Sequence, residues 1–509
     1  MTIFTIGHSI VPGYITPGTL LYHGRTGYTP RWPEWASFDF EHSYNFGPII
    51  QTYAVSGPGR GLKVLYLDGS SGANMPSGTI DTQVLLTDGE LTETGWGKEA
   101  SNIYRLCDWG ERYGIKGFIR MEFDFEVMLC DFTNGVTLVS QLPLIPTAPD
   151  PKRTDDLILI PSGDDDRSNL FSRPTAANPL FHSLNYTCSI GAGPKPLPSG
   201  VVHPDPWRPR TPPIGWRGSL RPAASALYEV LQAGNWHNAA PGVSGVNLDY
   251  NSAISLFDPK YSSLVAARRK ISQREMYRAG NISRVDMRTV FADLEEVLKR
   301  DPGAVGSGIK WADVMRSVKE RHSQRLEHFA LTLRPNLTTA AYNITAVVVQ
   351  IRYQILTILS PFLTKSSVPS ASSCREEWLV VPMHYCANTF TGHIQEEYLT
   401  PQERLIKRGI EVVMREICRT MGVLWLDAFE SEGASKAEQQ MLVKRWGAEI
   451  ERLMNWLGWA EWIRCEPACG PMELCTLPQW PFEMGPESDQ EHQDNYIPRC
   501  VDRLVGMKD

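Results

Sequence analysis

The sequence predicts an α+β protein with more than one domain. At 509 residues the chain is too long for one small core. Short apolar runs typical of strands dominate residues 1–140, a loop-rich and proline-rich stretch covers 141–222, and helical periodicity dominates 223–509. These three observations predict an N-terminal mixed-sheet domain, a linker, and a mainly helical C-terminal domain with a small strand pair.

In the N-terminal domain and linker, the patterns change from strand to helix to loop. The runs LKVLYLDG at 62–69 and GFIRMEFDFEVMLCDF at 117–132 are typical of strands, whereas 98–114 has helical spacing ended by a glycine. Residues 191–222 contain nine prolines, a density that forbids regular helix or central strand. We therefore predict a linker or surface arm, with Trp207 and Trp216 available to dock.

Helical periodicity and two apolar runs define the C-terminal domain. The runs EEWLVVPMHYC at 376–386 and GVLWLDAF at 422–429 predict the strand pair. The tail from Cys465 is predicted to be irregular. The predicted helices cover residues 225–234, 264–280, 284–300, 311–334, 338–362, 401–421 and 436–457.

Charge and hydropathy predict a cytosolic protein without a membrane span. The net charge of -7 and the pI near 5.9 give no overall attraction to nucleic acid, so an RNA partner would need a local basic patch. The first residues, MTIFTIGHSIVPGYITPG, lack the pattern of a secretory signal. The apolar run at 340–363 carries Gln350, Arg352 and Gln354, which predicts a buried amphipathic helix.

The ten cysteines predict reduced thiols, because most are scattered singly along a long chain. Four cluster in the tail, but their spacing fits no common zinc knuckle, so we predict free thiols and no metal. In a cytosolic protein the four glycosylation sequons would have no role. The tail cysteines are Cys465, Cys469, Cys475 and Cys500, and the sequons are at Asn185, Asn281, Asn336 and Asn343.

The stretch LYHGRTGYTPRWPEWASFDFEHSYNFG at 21–47 predicts a candidate ligand pocket. It combines His23 at a strand end with an aromatic and acidic run that includes Tyr44. With a carboxylate from a later strand, Glu122 or Glu126, these groups would bond a ribose hydroxyl, stack on a ring and orient a reacting group. The alternative is that this stretch is an ordinary part of the domain core, in which backbone groups satisfy the hydrogen-bonding nitrogens of His23.

This order of elements resembles ADP-ribosyltransferase-like domains over about the first 140 residues. The resemblance implies an NAD pocket lined by three motifs. His23 matches the first motif, Ser37 or Tyr44 the second, and Glu122 or Glu126 the third.

A second candidate site lies in GVLWLDAFESEG at 422–433. Three acidic residues, Asp427, Glu430 and Glu432, follow one another closely in its second half. If Asp427 opens a helical turn, the i,i+3 spacing places Asp427 and Glu430 on one face. Two adjacent carboxylates would bind a guanidinium bidentately, or one would act as a general base. The alternative is a solvated turn in which Asp427 caps a helix.

A basic patch at 261–288 contains seven basic residues against two acidic ones. Along one side of a predicted helix such a stripe would bind a phosphate backbone. The alternative is a solvated helix face. The predicted stripe consists of Arg268, Arg269, Lys270, Arg274 and Arg278.

The whole chain is similar to a group of filamentous-fungal proteins of like length, and it resembles arginine-containing cyclodipeptide synthases. The similarity rests on LYHG with EWASFDFEHSYNF, on DGSSGANMPSGTIDTQ at 68–83, on the run at 117–132, and on CGPMELCTLPQWPF in the tail. A functional Asp-Asp-x-x-Glu motif associated with the family is matched by LDAFE. There Asp427 and Glu430 match the second and last positions, and Leu426 replaces the first aspartate.

This resemblance implies a cytoplasmic enzyme of secondary metabolism that joins arginine from arginyl-tRNA to an amino acid from a second charged tRNA, forming a diketopiperazine. The aminoacyl esters are already activated, so no cofactor is expected. Asp427, Glu430 or Glu122 would be the base, while His23, Tyr44 and Glu126 would hold the substrate. The alternatives are an ADP-ribosyltransferase-like enzyme that uses NAD, and a non-catalytic module that binds nucleic acid or protein.

Overall fold

The structure is a computed structural model, and the chain divides into two compact units. The first comprises Met1–Leu144 and Ala223–Asp509, and the second is Ile145–Pro222. Everything described below belongs to the first unit. The described residues are 8–25, 29–43, 46, 49–57, 59–67, 81–87, 96–121, 125–143, 244–272, 277–334, 343–365, 377–431, 433–462, 464–476 and 498–502.

Ten strands form one mixed sheet in the order β10-β1-β5-β6-β7-β3-β2-β4-β8, with β9 also paired to β1. Strands β5 and β6 are parallel, and the other described pairings are antiparallel. The strands are β1 (Ser9–Ile15), β2 (Leu20–Arg25), β3 (Glu34–Ser37), β4 (Ile49–Val55), β5 (Leu62–Leu67), β6 (Gly117–Met121), β7 (Phe125–Leu129), β8 (Val136–Pro143), β9 (Val246–Leu248) and β10 (Ile254–Ser255).

Helices cover one face of the sheet and form the C-terminal part. A second, two-stranded sheet pairs β11 (Glu473–Thr476) with β12 (Arg499–Asp502). The described helices are α1 (Phe40–Ser43), α2 (Asp81–Leu86), α3 (Trp96–Glu111), α4 (Ser262–Arg268), α5 (Arg284–Leu298), α6 (Trp311–Leu333), α7 (Ile344–Leu359), α8 (Val380–Ala387), α9 (Pro401–Glu430) and α10 (Lys436–Leu457).

The main sheet has an apolar cluster on each face, because successive strand residues point to opposite sides. One cluster joins central strands to Val136 of β8 and Val246 of β9, so the sheet curls around it. The other cluster buries Leu65, Phe118 and other strand residues against α3 and α5. The predicted α+β class is thereby confirmed.

The helical part packs α6, α7, α9 and α10 against one another. Ile351, Leu424 and Trp446 are fully buried in their shared core. Helices α9 and α10 both begin with a capping box, formed by Thr400 with Glu403 and by Ser435 with Glu438. These caps fix where each helix begins.

One helical segment, Ile344–Phe362, is long and apolar enough to cross a membrane by length and composition alone. Its residues Val348, Ile351 and Ile355 are buried in the helical core together with α9 and α10. This packing agrees with the buried amphipathic helix that the sequence predicts.

The predicted strand pair in the C-terminal domain is wrong. Residues 377–387 form a short 3-10 turn followed by α8, and residues 422–429 continue α9. Both runs are apolar because they pack against neighbouring helices, and a short apolar run alone does not distinguish a buried helix from a buried strand. The two-stranded sheet lies instead in the tail, which was predicted to be irregular.

The predicted free thiols are also wrong, since all eight cysteines in the described part of the chain form disulfides. The sulfurs of Cys465, Cys469 and Cys500 lie within 4.8 Å of one another. They belong to two neighbouring disulfides, so they offer no thiolate to a metal. The pairs are Cys107–Cys130, Cys386–Cys418, Cys465–Cys475 and Cys469–Cys500.

Candidate functional site

His23 of the predicted ligand pocket is buried and hydrogen-bonded to the backbone. Its side chain is 6% exposed, packs against Phe132, and donates from Nδ1 to the carbonyl oxygen of Trp35 at 2.6 Å. Burial lowers the pKa of His23 below its usual value, which keeps the ring neutral at pH 7. The backbone therefore satisfies Nδ1, whereas the buried Nε2 makes no hydrogen bond within the described residues, and a ligand contact of His23 stays a prediction.

Glu126 lies on the opposite face of the sheet from His23. Glu126 is paired with Ser37, and Ser37 with Tyr22, so these three share a face, whereas His23 is the next residue along β2. Glu126 is buried, accepts a hydrogen bond from Arg120, and its Oε2 lies 3.6 Å from Nε2 of His42. The sheet therefore does not bring His23 and Glu126 into one pocket.

The neighbourhood of Glu126 is a buried polar cluster. Ser37 and Ser43 lie 2.5 Å apart through their hydroxyl oxygens, and Ser43 donates to the carbonyl oxygen of Tyr22 at 2.7 Å. Helix α1 brings His42 and Ser43 onto this face. Tyr44 and Glu122, which were predicted to line the same pocket, lie outside the described residues.

Asp427 and Glu430 lie three positions apart in one helix, the spacing predicted from the sequence, and their catalytic role stays a prediction. Both lie in the last turn of α9, but Asp427 is 4% exposed and Glu430 is exposed. Asp427 accepts hydrogen bonds from Arg445 and from Nε1 of Trp446, the latter at 3.1 Å. These contacts join α9 to α10.

We expect Asp427→Ala to lower the free energy of unfolding by about 1 to 3 kcal/mol, because it leaves the buried indole N–H of Trp446 without its acceptor. Urea denaturation of the purified protein measures this change. Glu430→Ala is the matched control, and we expect a much smaller loss. Equal stability losses in the two variants would contradict the structural role of Asp427.

Two residues of the predicted basic stripe have partners inside the protein. Arg268 is 7% exposed and donates to the carbonyl oxygen of Leu256 at 2.8 Å. Its second nitrogen lies 2.9 Å from Nδ1 of the buried His8. Arg278 binds Asp81 through Nε at 3.0 and 3.1 Å and through its terminal nitrogen at 2.7 Å.

The predicted single-sided stripe is therefore wrong, because α4 ends at Arg268 instead of continuing to residue 280. Arg269 and Lys270 are exposed, and their binding to phosphate stays a prediction. Arg274 lies outside the described residues.

A cavity of about 690 Å³ lies between the sheet and the start of α6. Tyr14 of β1, Arg60 and the segment around Asp249 line it from the sheet side. Lys310, Trp311 and other residues of the loop 302–310 and of α6 line the other side. No residue of the sequence-predicted sites lines this cavity.

The loop DPGAVGSGIK at 301–310 forms one wall of the cavity. Gly303 and Gly308 have φ of 74° and 75° and Gly306 has φ of 127°, conformations that side-chain-bearing residues rarely adopt. Helix α6 follows directly, and its N-cap residue Lys310 makes no side-chain capping hydrogen bond. The three glycines are the sequence signal that identifies this loop.

A buried carboxylate, that of Glu403 in the first turn of α9, holds the loop 301–310 in place by hydrogen bonds. Glu403 is fully buried and accepts hydrogen bonds from the hydroxyl and backbone N–H of Ser307. It also accepts from Nε1 of Trp311 at 3.0 Å and from the backbone N–H of Thr400 at 2.8 Å. On the other side, Asp249 accepts from the N–H of Gly303 at 2.8 Å.

Three cationic side chains meet at this cavity from separate segments: Arg60, Lys310 and Arg316. Arg60 donates to the carbonyl oxygen of Pro302 and lies over the ring of Tyr14. Arg316 lies 3.4 Å from a carboxylate oxygen of Asp313. Within the described ranges, neither Arg60 nor Lys310 forms an ion pair with a carboxylate. Two carboxylates line the cavity as well. Asp249 accepts from backbone N–H groups, and Asp313 lies beside Arg316. The charges of Arg60 and Lys310 therefore remain to suit an anionic ligand.

Comparison with known proteins matches the N-terminal part of the chain. The family model described as the YPL277C N-terminal domain matches residues 1–61 and 58–149. This region includes Tyr14 and Arg60 of the cavity. No solved structure matches.

Two relatives come from Saccharomyces cerevisiae. The uncharacterized protein YPL277C is 34% identical over 194 residues, covering 28% of this chain and 40% of the relative. The uncharacterized protein YOR389W is 33% identical over 193 residues, covering 28% of this chain and 31% of the relative. The chain thus spans less than half the length of these curated relatives.

Proposed function

We propose that the chain binds a small phosphate-bearing ligand of the nucleotide class in the cavity between the sheet and α6. The observation that carries this proposal is the convergence of Arg60, Lys310 and Arg316 on one cavity. Arginine and lysine are the side chains that proteins use most to bind phosphate oxygens. Arg60 and Lys310 have no carboxylate partner among the described residues, so their charge is available to a ligand.

The wall chemistry supports a ligand with an aromatic or sugar portion. Tyr14, Leu248 and Ile309 give one cavity surface apolar and aromatic character beside the cationic groups. Burial raises the pKa of Tyr14 above its usual value, so its hydroxyl stays protonated and can donate a hydrogen bond at neutral pH. A nucleotide would place its phosphate beside the cationic side chains and its ring against Tyr14, and so would contact both parts of the cavity.

Isothermal titration of the full chain with AMP, NAD and inorganic phosphate tests the proposal. We expect AMP or NAD to bind more tightly than phosphate alone, and the affinity to fall as salt rises. Lys310→Ala and Arg60→Ala should each weaken binding about tenfold, which corresponds to about 1.4 kcal/mol.

Lys299→Ala is the matched control, because Lys299 is an exposed lysine outside the cavity and pairs only with Glu295 within the described residues. We expect this variant to bind like the wild type. Absence of binding by all three compounds, or binding that the Lys310 and Arg60 variants leave unchanged, would overturn the proposal.

Two enzyme activities that the sequence predicts would also require the binding of a phosphate-bearing ligand, and both stay predictions. A cyclodipeptide synthase would bind the adenosine end of charged tRNA, and the exposed Arg269 and Lys270 support a contact with the tRNA backbone. An ADP-ribosyltransferase-like enzyme would bind NAD, and the pairing of Ser37 with Glu126 on neighbouring strands supports that likeness.

Separate assays distinguish these activities. Mass spectrometry of extracts from a heterologous host would detect an arginine-containing diketopiperazine if the chain is a synthase. Nicotinamide release from NAD would mark the second activity. If neither product forms while AMP or NAD still binds, the chain is a non-catalytic binding module.

A further inference from the structure

The four disulfides are distributed over the whole described unit. Cys107 of α3 pairs with Cys130 directly after β7, and Cys386 of α8 pairs with Cys418 of α9. The other two disulfides hold the tail around β11 and β12. Partners lie 10 to 32 positions apart in the sequence, so the fold, and not chain proximity, brings them together.

This use of cysteine indicates an oxidising compartment. Structural disulfides persist in secreted and lumenal proteins and are rare in the reducing cytosol. Cys386 and Cys418 are each 1% exposed, so their disulfide is shielded from reductants in the folded state. The cytosolic expectation rested partly on free thiols, and that premise does not hold.

In such a compartment the Asn-x-Ser/Thr sequons are acceptors for glycans. The structure describes two of the four, at Asn281 and Asn343, and both side chains are exposed. Asn281 lies in a turn before α5, closed by a hydrogen bond of 3.0 Å from the N–H of Ile282 to the carbonyl oxygen of Ala279.

The geometry of Asn343 is compatible with a glycan. Asn343 is the N-cap of α7, and its Oδ1 accepts from the N–H groups of Thr345 and Ala346 at 3.1 and 3.4 Å. Glycosylation uses Nδ2, which makes no hydrogen bond within the described part of the molecule. The capping oxygen therefore keeps its role after modification.

We propose that this chain folds in an oxidising secretory compartment and carries N-linked glycans at Asn281 and Asn343. Each disulfide forms when two thiols lose two electrons and two protons to the disulfide of an oxidoreductase, which becomes a dithiol. Each glycan forms when the Asn Nδ2 displaces a diphospholipid from the anomeric carbon of a lipid-linked oligosaccharide. A C–N bond replaces the C–O bond, and the nitrogen loses a proton.

The proposal does not depend on the ligand of the cavity. It does bear on the source of that ligand, because charged tRNA is a cytosolic species. A chain in the secretory pathway would meet free nucleotides or other phosphate esters instead.

The test uses the epitope-tagged full chain isolated from the cells that naturally produce it. Free thiols are blocked with a maleimide before and after reduction, and the sample is treated with an N-glycosidase. We expect the eight described cysteines to react only after reduction, and the glycosidase to increase electrophoretic mobility.

Single variants assign the glycans. Asn281→Asp and Asn343→Asp should each remove one glycan, and aspartate at 343 still caps α7. Thr345→Ser is the matched control, because it preserves the sequon and the hydroxyl that donates to Gln439. Because two of the ten cysteines lie outside the described residues, more than two thiols that react without reduction would overturn the proposal. A glycan number that neither aspartate variant lowers would overturn it as well.

Discussion

Glu403→Ala should lower the free energy of unfolding by about 3 to 4 kcal/mol. The carboxylate is fully buried, and its removal leaves donors of Ser307, Thr400 and Trp311 without an acceptor. Unpaired buried donors keep the full cost of their lost hydration. Chemical denaturation of the wild type and the variant measures the difference.

The chain offers a matched control at the start of α10. Glu438 occupies the same capping-box position as Glu403, but it lies at the protein surface, where water replaces lost hydrogen bonds. We therefore expect Glu438→Ala to destabilise the protein much less than Glu403→Ala. Similar losses of stability in the two variants would show that burial of the capping box at Thr400 and Glu403 does not increase its contribution.

The stabilisation by Glu403 should also depend on pH. Burial alone would raise its pKa, but the hydrogen bonds from Ser307, Thr400 and Trp311 outweigh burial and lower the pKa below its usual value. A depressed acid pKa stabilises the fold above the unfolded value of about 4.3 and loses that effect as pH falls further. Glu403→Gln should therefore flatten the decline in stability below about pH 5.

Glu403 also holds the wall of the proposed ligand site. Its bonds to Ser307 fix the loop that carries Lys310 into the cavity. We expect Glu403→Gln to weaken ligand binding while the protein remains folded. A folded Glu403→Gln variant that binds the ligand with wild-type affinity would show that the hydrogen bonds of Glu403 to the loop do not contribute to ligand binding.

Asp81→Asn should be at least as destabilising, with an expected loss of about 3 to 5 kcal/mol. Asp81 is fully buried and bound by the guanidinium of Arg278 and by the N–H of Ala279 at 2.6 Å. His8 lies 3.8 Å away. The variant leaves Arg278, which is about three-quarters buried, without its counter-charge.

A double-mutant cycle tests whether Asp81 and Arg278 act as a pair. Asp81→Ala and Arg278→Ala each strand one partner, so the double variant should lose less stability than the sum of the two single variants. Additive losses would contradict the pairing. Glu295→Gln is a control, because Glu295 pairs with Lys299 at an exposed position and should matter less.

Acid should weaken this cluster as well. Burial alone would raise the pKa of Asp81, but the nearby His8 and the hydrogen bonds from Arg278 and from the N–H of Ala279 outweigh it and hold the pKa well below its usual value. The stabilisation is therefore present above the unfolded pKa of about 3.9 and is lost as pH falls below it.

Sequence patterns alone predict several helices closely. Residues 436–457 are predicted and observed as α10, and the predictions at 284–300 and 311–334 differ from α5 and α6 by at most two residues. Local signals set these bounds: Ser283 and Ser435 cap the starts of two helices, and Gly458 in the left-handed region ends α10.

Long-range contacts decide what those patterns do not. The run at 422–429 resembles a strand locally, but burial of Leu424, Trp425 and Ala428 makes it the last turns of α9. The alternation of apolar and polar residues predicts the strands near Glu126. Only the register of pairing between β2, β3 and β7 shows that Glu126 and His23 lie on opposite faces of the sheet.

The amino-acid order by itself therefore determined the α+β class and the helices that have local caps, because propensity and periodicity act over a few residues. Only the tertiary structure decided the disulfide partners and the cavity. Arg60 and Lys310 are distant in the sequence, and their meeting depends on how α5 and α6 pack beside the sheet. Such proximity has no local signal, since it results from the packing of the whole core.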